Sequence, residues 1–297
     1  MAEVRLKRFS FGQLFLCMIL MLFSLAAILP FLLLVISSVT SEEVLLVNGY
    51  SYFPTKLSFY SYEYLFTVNL SSIGRAYGIT VFITVVGTTL SLMIAPMMAY
   101  VLSRRDYNKR KVMTFVVFFT MLFNGGLVPQ YLMWTQLFGI KNTIFALLFP
   151  NLLFNGFFVL IMKSYFTLNI HPALIEAAKI DGASEFYIYR KIVMPLSLPI
   201  LATIGLMVGI NYWNDWMNGL YYITKNHLFS LQNLLNRILV TIRFLNEFAN
   251  EMRLDKELPS ISIRMAMAVI GTIPIMALYP FFQKYFVKGI SLGGVKG

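Results

Sequence analysis

The segment IEAAKIDGASEFYIYRKIVMP, residues 175–195, places a high density of charge between two apolar stretches of chain. That density is typical of the surface of a soluble protein. The charged side chains are Glu176, Lys179, Asp181, Glu185, Arg190 and Lys191. The segment is therefore predicted to face water, and the rest of the sequence indicates what surrounds it.

The composition is that of an integral membrane protein. Of the 297 residues, 58% are hydrophobic and only 12% are charged, about half the charged fraction of a soluble domain. A helix needs about 20 apolar residues to cross a bilayer. Six stretches reach or approach this length: residues 11–37, 77–102, 112–132, 142–166, 198–222 and 261–282. The sequence thus predicts an all-α membrane protein with six transmembrane helices, the third of which contains the Gly-Gly and Pro of FNGGLVPQ (123–130).

Basic residues orient these helices, because Lys and Arg accumulate in cytoplasmic loops. The loop SRRDYNKRK (103–111) carries five basic residues and one acid. Six helices place this loop, both termini and the segment 163–197 on one side, which then holds 15 of the 24 Lys and Arg residues. Both termini and the charged segment are therefore predicted to be cytoplasmic. Basic residues that merely solubilise the loop ends would agree with the same orientation.

Residues suited to catalysis or metal binding are scarce. Cys17 is the only cysteine, so a disulfide or a cysteine-based metal site within the chain is excluded. His171 and His227 are the only histidines and are predicted on opposite sides of the membrane. The chain also lacks a GxxxxGK(S/T) phosphate-binding loop. We therefore predict no catalytic residue, no metal site and no ATPase site in this chain.

The charged segment is predicted to form two short helices. In HPALIEAAKIDG (171–182), Pro172 suits the first helical position and Gly182 suits the left-handed position that ends a helix. Ser184 is a suitable cap for a second helix over residues 185–193, and Pro195 then turns the chain into the fifth apolar stretch. The residue types alone are equally compatible with a helix that rests on lipid headgroups.

The spacing of particular residues resembles the EAA signature of ABC-importer permeases. Glu176-Ala177-Ala178 is followed after three residues by Gly182 and later by Ile192 and Met194-Pro195; the family usually has Leu where Met194 stands. The ending FFQKYFVKGISLGGVKG (281–297), together with GGLVPQYL (125–132) and WNDWMNGLYYI (213–223), is similar to the maltose-type second permease subunit of carbohydrate importers.

This resemblance implies one permease domain over residues 1–297, in which residues 171–195 form a cytoplasmic coupling segment. In the family this segment inserts into a cleft of a cytoplasmic ATPase. The residues implied to couple are Glu176, Ala177, Ala178, Asp181 and Gly182. The C-terminal residues Gly294, Val295, Lys296 and Gly297 are implied to reach the interface of the ATPase dimer.

The resemblance also implies the partners and the mechanism. The implied partners are a second, non-identical permease, two copies of the ATPase, an extracellular solute-binding lipoprotein and a carbohydrate substrate. The implied mechanism is alternating access, by which the complex moves the substrate across the bacterial cytoplasmic membrane. ATP and Mg would be bound by the ATPase, and no cofactor by this chain.

Polar residues within two of the predicted helices are candidates for the substrate pathway. Asn211, Asn214, Asp215 and Asn218 have the spacing of one helical face, and Asn151 and Asn155 lie one turn apart. Polar groups within a membrane usually face a bundle interior or an aqueous cavity, and amides can bind sugar hydroxyls. Alternatively, these groups bond to neighbouring helices or cap bends, and the partner permease holds most sugar contacts.

Two further functions are compatible with parts of the sequence. An amino-acid or peptide importer would share the EAA signature. A secondary carrier that does not use ATP, or a membrane scaffold, would share the apolar helices. A secondary carrier is expected to contain repeated halves and more ionisable groups within its helices, whereas Asp215 is the only acid within the predicted helices.

Overall fold

The computed structural model describes residues 11–247 and 261–293. Most of these residues lie in helices. Within the described ranges the β-structure is limited to one isolated antiparallel bridge, between Thr40 and Leu57. The prediction of an all-helical protein is therefore confirmed.

Fourteen α-helices follow one another along the described chain. They are α1 (Phe11–Ser38), α2 (Glu42–Asn48), α3 (Tyr60–Ser103), α4 (Arg110–Leu122), α5 (Leu127–Leu132), α6 (Phe145–Leu148), α7 (Gly156–Asn169), α8 (Pro172–Ile180), α9 (Glu185–Ile188), α10 (Met194–Leu196), α11 (Leu198–Asn214), α12 (Met217–Tyr222), α13 (Leu231–Glu247) and α14 (Ile261–Gly293). Short π-helical turns at Met133–Leu137 and Tyr189–Val193 continue α5 and α9.

Two helical segments, Gly12–Ser38 and Leu70–Ser103, are each long and apolar enough to cross a membrane. Three pairs of helices meet the same criterion jointly but are bent between their members by 108°, 77° and 82°. These pairs are Arg110–Leu122 with Leu127–Leu137, Gly156–Asn169 with Pro172–Ile180, and Glu185–Leu196 with Leu198–Asn214. The described residues therefore contain two such spans, or up to five if each bent pair counts as one, and the six-span topology stays a prediction.

The predicted continuity of the helices over residues 142–166 and 198–222 is wrong. Within the first stretch, helix α6 ends at Leu148, Asn151 has a left-handed φ of 62°, and α7 begins only at Gly156. Within the second, Asp215 has a ψ of 113° and separates α11 from α12. In both places polar side chains bond to the backbone at the break, so the helix ends there although the sequence remains apolar.

The described residues fall into two compact units. One draws on Met1–Leu70 and Leu239–Thr272, the other on Ser71–Ile238 and Ile273–Gly297. In the first unit the Glu42 carboxylate accepts hydrogen bonds from the backbone N–H groups of Ile261 (2.9 Å) and Ser262 (2.8 Å) and from the Ser262 hydroxyl (2.6 Å). A carboxylate at this position satisfies N–H groups that the start of a helix leaves open. Glu42 thus caps α14.

In the second unit, α3 and α11 approach closely where Gly87 faces Tyr212. The Tyr212 ring is fully buried, and its hydroxyl donates a hydrogen bond of 2.7 Å to the carbonyl of Leu148. A methyl group at Gly87 would collide with three carbon atoms of this ring. Small residues commonly permit such close contact between membrane helices. The absence of a side chain at Gly87 therefore sets the distance between α3 and α11.

We expect Gly87→Ala to destabilise the protein, because the Tyr212 ring cannot move away from the added methyl group without losing its hydrogen bond to the Leu148 carbonyl. Overpacking of this kind costs about 1–3 kcal/mol. The matched control is Gly78→Ala on the same helix, where an added methyl group meets nothing within 4 Å. Thermal unfolding in detergent should show a lower midpoint for Gly87→Ala only. Equal midpoints for both variants would contradict the proposed close contact.

Candidate functional site

The charged segment forms a helix, a turn and a second helix. Pro172 occupies the first turn of α8, and the His171 ring nitrogen Nδ1 accepts the N–H of Ala173 at 3.3 Å. Gly182 has a φ of 77°. The turn is closed by hydrogen bonds from the N–H of Gly182 to the Lys179 carbonyl (3.0 Å) and from Ala183 to Ala178 (2.9 Å). This pair of bonds is a Schellman motif, which favours glycine at the left-handed position.

The second helix begins as predicted. The Ser184 hydroxyl accepts the N–H of Tyr187 at 3.3 Å and so caps α9. The predicted local structure of the segment is therefore confirmed, including its Pro172 start and its left-handed Gly182. Capping by His171 was not predicted, although histidine followed by proline at a helix start is visible in the sequence.

The residues predicted to couple to an ATPase lie mostly on the surface of this segment. Glu176, Ala177, Asp181 and Gly182 are exposed, and Ala178 is half-buried. Among the ion pairs of the described residues, none involves Glu176 or Asp181. The exposed carboxylates are thus available to another protein, and their role in ATPase docking stays a prediction.

Four charged side chains join this segment to the basic loop that follows α3. Arg104 binds Asp106 through two hydrogen bonds, from Nε (2.9 Å) and from a terminal nitrogen (2.7 Å). The same terminal nitrogen lies 3.3 Å from Glu185. Lys179 Nζ binds both Asp106 (3.0 Å) and Glu185 (2.8 Å). We call these four residues the charge quartet: each of its two cations contacts both of its carboxylates.

A tyrosine and the surroundings of Arg104 strengthen the quartet. The Tyr100 hydroxyl donates a hydrogen bond of 2.8 Å to the second carboxylate oxygen of Glu185. The Arg104 side chain is only 11% exposed, and its guanidinium lies 5.7 Å from the centre of the Tyr100 ring. Isolated surface ion pairs contribute little stability, whereas bidentate and networked pairs contribute more. The quartet is a network that includes a bidentate pair, so it is expected to contribute more stability than an isolated surface pair.

All four groups of the quartet are charged at neutral pH. Hydrogen bonds from Arg104 and Lys179 hold the pKa of Asp106 well below its usual range. Burial alone would raise the pKa of Glu185, but hydrogen bonds from Lys179 and Tyr100 outweigh it and leave this pKa lowered. Stability gained from lowered carboxyl pKa values is fully present above about pH 4 and is lost as the pH falls further.

Sequence reasoning did not find the quartet. Its members come from two regions that are 73 residues or more apart, and a pairing at that separation has no local signal. One clue was present: Asp106 is the lone acid in a loop with five basic residues. A single acid among basic residues suggests a specific ion pair, although the sequence does not identify the partner.

A cavity of about 320 Å³ opens beside the quartet. Its walls include Arg104, Asp106 and Lys179 of the quartet together with Arg105 and Glu176. The predicted docking residue Glu176 and the quartet therefore border the same space. A protein that contacts Glu176 would bind next to the quartet.

The residues proposed for the substrate pathway in α11 and α12 do not share one continuous helical face, which corrects the expectation from their spacing. Helix α11 ends at Asn214, and Asp215 instead accepts the N–H of Asn218 at 3.3 Å, as a cap of the next helix does. Asn218 is buried and donates a hydrogen bond of 3.0 Å to the carbonyl of Pro150. Asn211 and Asn214 remain exposed.

The two asparagines of the preceding region also occupy a chain break. The Asn155 side chain accepts the N–H of Phe157 at 2.9 Å and caps α7. Asn151 adopts the left-handed conformation, and its amide lies 3.5 Å from the side-chain oxygen of Gln130. Capping thus accounts for Asn155 and for one carboxylate oxygen of Asp215, and bonding between segments accounts for Asn218. A pathway role remains a prediction for all six residues, of which Asn151, Asn211 and Asn214 are exposed.

The predicted ATPase-contacting tail, Gly294, Val295, Lys296 and Gly297, lies outside the described residues. Helix α14 is described as far as Gly293. The role of the tail therefore stays a prediction.

Long apolar helices combined with one exposed, charged helix–turn–helix are the features of an integral membrane protein with a segment outside the lipid. Residues 74–292 match the family described as binding-protein-dependent transport system inner membrane component. The chain belongs to this family. It is accordingly a multi-pass protein of the cytoplasmic membrane, and the match contains both the quartet and the EAA segment.

Similar proteins extend the comparison over nearly the whole chain. The polygalacturonan/rhamnogalacturonan transport system permease protein YtcP of Bacillus subtilis is 38% identical over 94% of this chain and 96% of its own length. Protein LplC of the same organism is 36% identical over the full length of both chains. A chain from the crystal structure of a bacterial ABC transporter involved in the import of the acidic polysaccharide alginate is 29% identical, with a TM-score of 0.76 and coverage of 94% and 99%. The fold is therefore that of an ABC-transporter permease.

We expect Asn211 and Asn214 to face a space that admits water, because an amide exposed to lipid is unfavourable. Cysteines at these positions, in a Cys17→Ser background, should react with a membrane-impermeant thiol reagent. Val208→Cys on the same helix is the matched control, since Val208 is only 2% exposed. In the assembled transporter, cysteines at both asparagine positions should be labelled several-fold faster than the cysteine at position 208. Equal rates at all three positions would exclude the open-cavity interpretation.

Proposed function

We propose that this chain is a permease subunit of a binding-protein-dependent ABC importer that carries oligosaccharides into the cell. The observation that carries the proposal is the exposed, capped α8–turn–α9 segment, which lies within the region matched by the family. Its Glu176 carboxylate forms no ion pair within the described residues and is suited to a basic residue of another protein. Closure of an ATPase dimer would move this segment and drive alternating access of the membrane helices.

In this proposal the energy comes from a partner. Two copies of a cytoplasmic ATPase bind ATP and Mg, and this chain contributes no nucleotide site. Glu176, Ala177, Ala178, Asp181 and Gly182 form the docking surface, in which the small alanines permit close approach. The tail, Gly294, Val295, Lys296 and Gly297, reaches the ATPase dimer. A second, non-identical permease and an extracellular solute-binding lipoprotein complete the complex.

The topology in this proposal has six spans with both termini in the cytoplasm. The quartet supports part of it, because Arg104 and Asp106 lie in contact with Lys179 and Glu185. These contacts favour an arrangement in which the loop after α3 and the coupling segment lie on the same side of the membrane, with an even number of crossings between them. The strongly basic composition of that loop favours the cytoplasmic side.

The substrate is proposed to be an oligosaccharide. Support comes from the relatives, whose names refer to polygalacturonan, rhamnogalacturonan and alginate. The exposed amides of Asn211 and Asn214 are suited to sugar hydroxyls, and Asn151, Asn155, Asp215 and Asn218 support the walls of the same route. Because the alginate transporter is described as handling an acidic polysaccharide, an acidic oligosaccharide is the first compound to test. The alternative of an amino-acid or peptide substrate has no comparable support.

The transport function can be tested with the assembled complex in proteoliposomes. We expect ATP-dependent uptake of a labelled oligogalacturonide in the presence of the solute-binding protein, and much slower uptake of a dipeptide. A neutral oligosaccharide of equal length is the matched control, which measures how the charge of the substrate affects the rate of uptake. Uptake that persists without the ATPase subunits and follows an ion gradient would instead establish a secondary carrier.

The docking role predicts a sharp contrast at Gly182. A Cβ atom there meets nothing within 4 Å of this chain, so within the chain a substitution acts through the left-handed backbone. Gly182→Val should strain the turn by about 1–2 kcal/mol or more, whereas Gly182→Asn retains a residue that tolerates this conformation. We expect Gly182→Val and Glu176→Ala to reduce co-purification of the ATPase while the permease still inserts.

Gly182→Asn serves as the control for backbone conformation and should retain the ATPase. Lys191→Ala serves as the control for loss of an exposed charge on the same segment, since Lys191 is exposed. Normal ATPase recovery with both Gly182→Val and Glu176→Ala would show that the segment is not the docking element.

A further inference from the structure

We propose that Arg104, Asp106, Lys179 and Glu185 are positioning residues that transmit the movement of the coupling segment to α3. This inference rests on the proposed function, because it assumes that an ATPase moves α8. The quartet would act as a tie, that is, a rigid link between the coupling segment and α3. Without it, the turn between α8 and α9 would bend and the movement would not reach α3. The quartet thus makes the loop after α3 a part of the coupling apparatus.

The positions of the four residues support this role. Lys179 lies in the last turn of α8, and Glu185 lies in the first turn of α9. The turn between them contains Gly182, and the direct Lys179–Glu185 ion pair of 2.8 Å spans it. The turn is therefore closed on itself by an ion pair in addition to its backbone hydrogen bonds.

The other half of the quartet connects this closed turn to α3. Arg104 and Asp106 directly follow the end of α3 at Ser103. Tyr100, inside the last turn of α3, is buried, bonds to Glu185 and stacks obliquely on Tyr189 at 5.5 Å between ring centres. Polar and aromatic contacts thus join the coupling segment to one helix end. A displacement of the coupling segment as a unit cannot leave the end of α3 in place without breaking several of them.

From α3 the displacement has a direct route into the membrane helices. Gly87 of α3 packs against the Tyr212 ring of α11, which is held at its hydroxyl end by Leu148. Helix α11 also carries the exposed Asn211 and Asn214. The quartet, α3 and the Tyr212 contact therefore form a continuous chain of contacts from the docking segment to the proposed substrate route.

The shared bonding pattern predicts that the quartet acts as a unit. Asp106 receives bonds from both cations, and Lys179 donates to both carboxylates. Removal of any one member leaves an excess charge beside the others. Contacting residues of one network are non-additive, so a double variant should be no worse than the more severe single variant.

The test uses the complete transporter and measures sugar imported per ATP hydrolysed. We expect Asp106→Asn and Lys179→Met to retain the ATPase subunits and near-normal basal hydrolysis. Sugar imported per ATP should fall by at least about 5-fold, the lower end of the range for coupling between sites. Lys179→Arg preserves both ion pairs and should restore the ratio. Wild-type uptake in the same assay establishes the proposed function independently of the quartet.

The matched control is Lys191→Met, which removes an exposed positive charge from the same segment. It should leave the ratio unchanged. If Asp106→Asn and Lys179→Met import as much sugar per ATP as the wild type, the inference is wrong. It is also wrong if both variants simply lose the ATPase, because the quartet would then support docking instead of transmission.

A covalent replacement of the tie gives a second readout. Asp106→Cys with Lys179→Cys, in a Cys17→Ser background, removes the ion pair and allows a short bifunctional thiol reagent to join the same two positions. Cross-linking should raise the sugar imported per ATP above that of the unlinked double variant. A cross-link that blocks transport would show that the quartet must open during the cycle, which contradicts a permanent tie.

Discussion

Within a bilayer there is no water to satisfy the backbone groups that a helix end leaves open. An interrupted membrane helix is therefore stabilised by a polar partner at the break. Asn155 supplies one at the start of α7, and Asp215 supplies one ahead of α12. His171 and Ser184 perform the same task on the charged segment. The broken helices, and with them the shape of the second unit, depend on these side-chain caps.

The same constraint governs polar residues in the uninterrupted parts of the helices. Several hydroxyl groups there donate to the carbonyl four residues earlier, so these add no open donor to an apolar surface. Examples are Ser24, Thr89, Thr135 and Thr203. Side-chain polarity is therefore not in itself a sign of a pathway. An amide such as Asn211 or Asn214 is more informative, because it is exposed on a helix that already satisfies its own backbone.

The separation in sequence between interacting residues determines how much of the fold and of the candidate site was predictable. The first apolar helix and the α8–turn–α9 segment were predicted closely, since length, Pro172, Gly182 and Ser184 act locally. The breaks at Asn151 and Asp215 were missed because average hydropathy does not register a cap. The candidate docking surface was predicted from the resemblance to the EAA signature, and its role stays a prediction. The quartet was not, because its pairing depends on how α3 and α8 meet in three dimensions.

The cap that Glu42 provides for α14 has a consequence for biosynthesis. Glu42 precedes its partners Ile261 and Ser262 by 219 and 220 residues, and a ribosome adds roughly 5–20 residues per second. The carboxylate thus leaves the ribosome roughly 10–40 s before the N–H groups that it caps. The first unit cannot acquire this bond while α1 to α3 are being inserted. Its assembly is completed only after almost the whole chain has been made, so a nascent chain stalled before α14 carries an unfinished first unit.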